Sequence, residues 1–177
     1  MHGNKPGVLS VEALRRSSSR SAERRPARPS EQPVDFLGWF WTGVRAVGAL
    51  SLLAVGAVHL QQYLYLYSAI PTIGTLFVLN FAGATALGLG LLAPLERLLG
   101  RWGGPAVVLL ALGGIGLTAS AFVFLFVSER TPLFGFMEPG YDPPAILASR
   151  VAEVVTVVLL GSFLLARLGK RTSVGRW

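Results

Sequence analysis

Reactive side chains are few in this sequence. It has two histidines, nine carboxylates and no cysteine. Without cysteine there is no disulfide, no thiolate metal site and no cysteine nucleophile. His2 and His59 are too few for a multi-histidine zinc centre. No phosphate-binding glycine loop and no Ser–His–Asp order occurs. What remains is a small group of polar residues within long apolar runs: His59, Gln62, Asn80, Arg150 and Glu153. An ionisable side chain inside a membrane span is expensive and marks a candidate site. Imidazole titrates near neutral pH, so a His59–Glu153 couple is suited to relaying protons or driving proton-coupled transport. The same residues are suited to lining an outward-facing pocket for a ligand or ion. In the plainest reading they hydrogen-bond one another and fix helix register, with Arg150 neutralising Glu153.

These residues lie on elements that the composition identifies. Apolar residues make up 52% of the 177 positions and charged residues 14%, against about 25% charge in a soluble domain. Residues 1–35 hold seven Lys/Arg and four Asp/Glu, which leaves fourteen charges for the other 142 residues. Four runs there reach the roughly 20 apolar residues that cross a bilayer core: Phe40–Leu66, Ile73–Leu92, Pro105–Val127 and Ala145–Ala166. None shows the alternation of a barrel strand. Pro71 and Pro105 fit first helical turns, and Pro94 is expected to end the second span, with Leu95–Leu99 as an interfacial turn. Asp142 before Pro143 and Pro144 fits an N-cap, and Gly169 fits a stop.

Fourteen of the 16 Lys/Arg fall on the side that carries both termini, and only Arg130 and Arg150 on the other. This bias predicts cytoplasmic termini. Trp39, Trp41 and Trp102 are then expected at the inner interface, and Tyr63, Tyr65, Tyr67 and Tyr141 at the outer one. The sequence therefore predicts an all-α membrane protein: a four-transmembrane-helix bundle (residues 38–168) with a disordered basic N-terminal tail (1–37) and a short basic C-terminal tail (169–177), both cytoplasmic.

At about 1.5 Å of rise per residue, His59 lies about 10 Å below the outer end of the first span and Glu153 about 12 Å below that of the fourth. Asn80, Thr118 and Ser120 reach comparable depth. Gln62 shares a face with His59, three residues on, and Arg150 and Thr156 flank Glu153 at i−3 and i+3. A polar belt in the outer half follows, with His59 and Glu153 in direct or water-bridged contact. Small residues let helix backbones approach closely in lipid. Ala84 and Gly88, Ala86 and Gly90, and Gly116 and Ser120 are each spaced four apart, and the faces they form serve a bundle or a homodimer equally.

The tail is rich in Arg, Ser and Pro and too poor in apolar residues to order itself. It lacks the apolar core of a secretory signal peptide, and its four acids count against a mitochondrial transit peptide. It is expected to attract anionic lipid. No nucleic acid partner is expected, because no aromatics interleave its charges. Residues 128–144, SERTPLFGFMEPGYDPP, form the longest connection between spans. They read either as an interfacial loop with aromatics among headgroups or as a lid over the polar belt.

Two stretches, His59–Asn80 (HLQQYLYLYSAIPTIGTLFVLN) and Phe134–Val155 (FGFMEPGYDPPAILASRVAEVV), resemble a group of small four-span membrane proteins of high-GC Gram-positive bacteria. In that group a His-containing first helix leads into an IPTIG-like turn, and an FGF-x-E-x-G-like loop leads into a Glu-containing fourth helix. The resemblance implies a bacterial plasma-membrane location and carries no catalytic residue with it. The small multidrug exporters also have four spans and a membrane carboxylate, but theirs lies in the first helix.

Taken together, the residues point to a non-enzymatic integral membrane protein, either accessory to a membrane protein partner or binding a lipid-like ligand. The alternative is a small oligomeric proton-coupled transporter using His59 and Glu153. A quinone-linked enzyme has only one His and one Glu for acid–base work. Haem has His59 but no second membrane histidine, and Met137 sits in a loop, so no cofactor and no metal is expected.

Overall fold

The structure is a computed structural model that describes residues 36–174, with side chains through residue 169. The expectations for the basic tail up to residue 35, and for residues 175–177, fall outside the described residues. Helix α1 spans Phe36–Gln62 and runs on into a π-helical turn, Tyr63–Tyr67. It is followed by α2 (Pro71–Leu92), the short α3 (Leu95–Leu98), a 3₁₀ turn (Gly100–Trp102), α4 (Gly103–Ser128) and α5 (Pro143–Val174). Among the described residues there is no β-strand. Four stretches, of 32, 22, 29 and 27 residues, are long and apolar enough to cross a membrane.

Helix ends follow local chemistry. Pro71 opens α2, where its missing N–H needs no partner. At the other end of α2 the Ala93 N–H bonds the Leu89 carbonyl, and Pro94 follows. Asp142 caps α5, its Oδ1 accepting the Ala145 N–H at 3.1 Å. Gly169 does not stop α5, which continues to Val174. Among the described residues the positive-φ glycines are Gly100, Gly135 and Gly140, so Gly169 lacks the left-handed backbone that closes a helix.

The spans form a ring. α1 packs against α2 and α5, and α4 packs against the same two from the opposite corner. The core of Ala49, Leu52, Ala84, Leu91, Val107, Ala111, Leu160, Phe163 and Leu164 fills the half nearer α3. We call this the α3 end and the opposite one the loop end, because residues 128–144 cover it. Ala84 and Gly88 face α1, and a Cβ at Gly88 would stand 2.8 Å from Leu53 Cδ2 and 3.2 Å from the Ala49 carbonyl oxygen. The other spaced pairs do not act as pairs. Ala86 is exposed, and a Cβ at Gly116 would meet nothing within 4 Å.

At the α3 end, Glu96 gathers two spans. Arg45 of α1 donates to both its oxygens, at 3.0 and 3.1 Å, and Arg167 of α5 reaches Oε1 at 3.3 Å. Burial pushes the Glu96 carboxyl up. Its own backbone N–H and the guanidiniums of Arg45 and Arg167 outweigh that and hold it below the ordinary carboxylate range.

Two outcomes are expected. Gly88→Leu lowers unfolding stability in detergent by about 1–3 kcal/mol through overpacking, while Gly116→Leu leaves it unchanged. A depressed carboxyl contributes stability above its unfolded value, about 4.3, and loses it as pH falls through the folded value. The melting temperature of Glu96→Gln therefore lies below that of the parent at pH 7, and the gap closes as the parent is acidified below about pH 4.

Candidate functional site

Above the tight half the bundle opens into a cavity of about 210 Å³. All four spans and the loop line it: Val58, His59, Gln62 and Tyr67 from α1 and its π turn; Ile73, Leu76, Phe77, Leu79 and Asn80 from α2; Leu117, Ser120, Ala121, Phe124, Leu125 and Ser128 from α4; Ala145, Ile146, Ser149 and Glu153 from α5. Most of the wall is apolar. Leu79 is 60% and Phe124 43% exposed, so the cavity opens on the flank of the bundle between α2 and α4.

Four of the five candidate residues meet on this wall, and each is engaged differently. His59 Nδ1 is 2.8 Å from the Val55 carbonyl oxygen, and its ring lies 5.2 Å from Phe77. A carbonyl only accepts, so Nδ1 carries the proton and Nε2 is the acceptor of the neutral ring. The Gln62 amide donates to Asp142 Oδ2 at 2.8 Å, so Asp142 both caps α5 and ties it to α1. Glu153, 1% exposed, accepts the Ser149 hydroxyl at Oε1, while its Oε2 is buried without a partner. Asn80 is 8% exposed, and its Oδ1 is likewise buried and unpartnered.

Arg150 is the exception. It does not line the cavity, and its guanidinium pairs with Glu129 at the end of α4, so that only its charge, and no hydrogen bond, reaches Glu153. His59 and Glu153 share the wall, but among the described residues no hydrogen bond joins them. Thr118 and Thr156 bond carbonyls one turn back on their own helices and add nothing to the belt.

The loop closes one end of the cavity with Leu133, Phe136 and Glu138. It folds as a tight hairpin turn in which the Leu133 and Phe136 backbones exchange hydrogen bonds of 2.7 and 3.0 Å. Phe134 and Gly135 at its tip have φ of 51° and 78°. A bulky residue in that region is strained. The turn sends Leu133 and Phe136 onto the cavity while Phe134, Met137 and Tyr141 remain exposed. One face of the segment thus meets the cavity and the other is exposed.

Glu138 fixes this loop, and sequence reasoning missed it. It is 6% exposed, accepts the Gly140 and Tyr141 N–H groups at Oε1, and receives the Tyr67 hydroxyl at Oε2. Its N–H bonds the Ser128 carbonyl at 2.8 Å. The available signal was a carboxylate two residues before Gly140, where a positive-φ turn aims N–H groups back at it. Tyr67 turns into the protein, stacked on Phe77 at 4.7 Å and edge-on to Phe136 at 5.7 Å. The π turn, closed by Ser68 N–H to the Tyr63 carbonyl, changes the angular step at the end of α1 and brings Tyr67 inward. Tyr65, two residues earlier, is 78% exposed.

Among the described residues, no group of three or more His, Asp or Glu side chains converges as a metal site requires. Comparison with protein-family models, with curated proteins and with solved structures returns no match.

Tyr67→Phe strands Glu138 Oε2, and an unmet buried acceptor costs about 1–3 kcal/mol. The expected result is a lower melting temperature and faster proteolysis within residues 128–144, with Tyr65→Phe changing neither.

Proposed function

We propose that this chain is a non-enzymatic integral membrane protein that binds a lipid-like amphiphile in the cavity beneath its loop, within a bacterial plasma membrane and with both termini cytoplasmic. On this reading the cavity lies in the outer leaflet, and the exposed Leu79 and Phe124 border its opening to the lipid. One observation carries the proposal: an apolar wall holds two buried polar atoms without partners, Asn80 Oδ1 and Glu153 Oε2. Binding sites for small molecules combine apolar walls with a few placed polar groups, and a polar group left unmet in hydrocarbon is costly. An amphiphile supplies both the tail and the missing partner. Binding of this kind suits an accessory subunit that presents or senses a lipid for a membrane protein partner.

A second reading, a small oligomeric proton-coupled transporter, draws on His59 and Glu153 lining one cavity.

Native mass spectrometry of the full chain extracted in mild detergent separates the two. The expected spectrum shows the chain with one retained lipid-like mass, which Leu79→Trp, placed at the opening, removes. A bare homodimer contradicts the binding reading and favours transport.

A further inference from the structure

The geometry points to an ammonium group as the polar end of the guest; this inference rests on reading the cavity as an amphiphile site. The chain offers acceptors there, and its nearby guanidinium bonds elsewhere. Glu153 Oε2 is buried and unpartnered. The nearest guanidinium, Arg150, is held by Glu129. The Ser149 hydroxyl is already engaged on Oε1, and the Gln62 amide on Asp142. His59 donates from Nδ1 to the Val55 carbonyl, which leaves its neutral ring an acceptor at Nε2. Asn80 can present either end of its amide, so the carboxylate decides the sign.

What Glu153 lacks is a donor, and in a low-dielectric wall a positively charged donor suits it best. Hydrogen bonds to charged groups are the strong ones, and an uncompensated buried carboxylate is costly. An apolar body bearing one ammonium therefore matches the wall in both parts. That chemistry comes from two sources, a free alkylamine or a lipid with an amine headgroup.

The test uses the full chain in maltoside detergent, titrated with decylammonium, decanol and decanoate below their micellar concentrations and followed by calorimetry. Decylammonium is expected to bind about tenfold or more tighter than decanol, the discrimination of a hydrogen bond to a charged group, and decanoate weakest. Glu153→Gln is expected to remove the preference for decylammonium while decanol binding persists, which shows that the variant keeps its cavity. Equal affinity for the three headgroups overturns the ammonium assignment and leaves the amphiphile site standing. No binding of any probe overturns both. With decylammonium bound, competition by phosphatidylethanolamine but not phosphatidylcholine identifies the lipid as the source, and no competition by either identifies a free amine. Both of those results support the ammonium assignment.

Discussion

A bundle whose flanks are apolar must satisfy its interior polar groups from within, and the arrangement of this protein follows from that constraint. Hydrocarbon offers no hydrogen bonds. In the α3 half the problem does not arise, because the facing surfaces are Ala, Gly, Leu, Val and Phe and the backbones approach closely. In the loop half every span brings a polar side chain inward, and there the helices stand apart. Most of those groups are met by the chain itself. Thr118 and Thr156 bond their own helices, Gln62 meets Asp142, and the Ser51 hydroxyl crosses from α1 to the Ala152 carbonyl of α5 at 3.0 Å. Among the described residues two buried side-chain atoms are not met, and both residues stand on the cavity wall.

The two ends are secured by carboxylates outside the spans. Glu96 draws Arg45 and Arg167 together beneath the core. Glu138 collects two backbone N–H groups and the Tyr67 hydroxyl above the cavity. Between these fixed ends the ring of helices widens without losing register. The strained Phe134 at the tip of the loop is consistent with a segment shaped by what it covers rather than by local preference.

Much of this was legible in the sequence because hydrophobic length and helix-end chemistry are local. The four spans, the Pro71 start, the break at Pro94 and the Asp142 cap follow from residues within one or two turns. Helix rise puts His59, Asn80, Thr118, Ser120 and Glu153 at comparable depth, and all but Thr118 line the cavity. What was not legible depends on angles and partners distant in sequence. Arg150 pairs with a residue 21 positions away rather than with its helical neighbour Glu153. Tyr67 turns inward because of a π turn that hydropathy does not register. Glu138 and Glu96 sit in connections, where residue type alone does not reveal whether a carboxylate is solvated or holds three donors. Spacing by four does not say which stripe of small residues meets a neighbour, and only the Ala84–Gly88 stripe faces α1.

The central claim is that Asn80 and Glu153 face a guest rather than each other. A crystal structure of the full chain grown in a lipidic mesophase tests it directly. The account expects elongated density along the apolar wall, with its polar end about 3 Å from Glu153 Oε2. A collapsed cavity, with the Asn80 amide donating to the Glu153 carboxylate, would contradict it. The polar belt would then be a clamp between helices and nothing more.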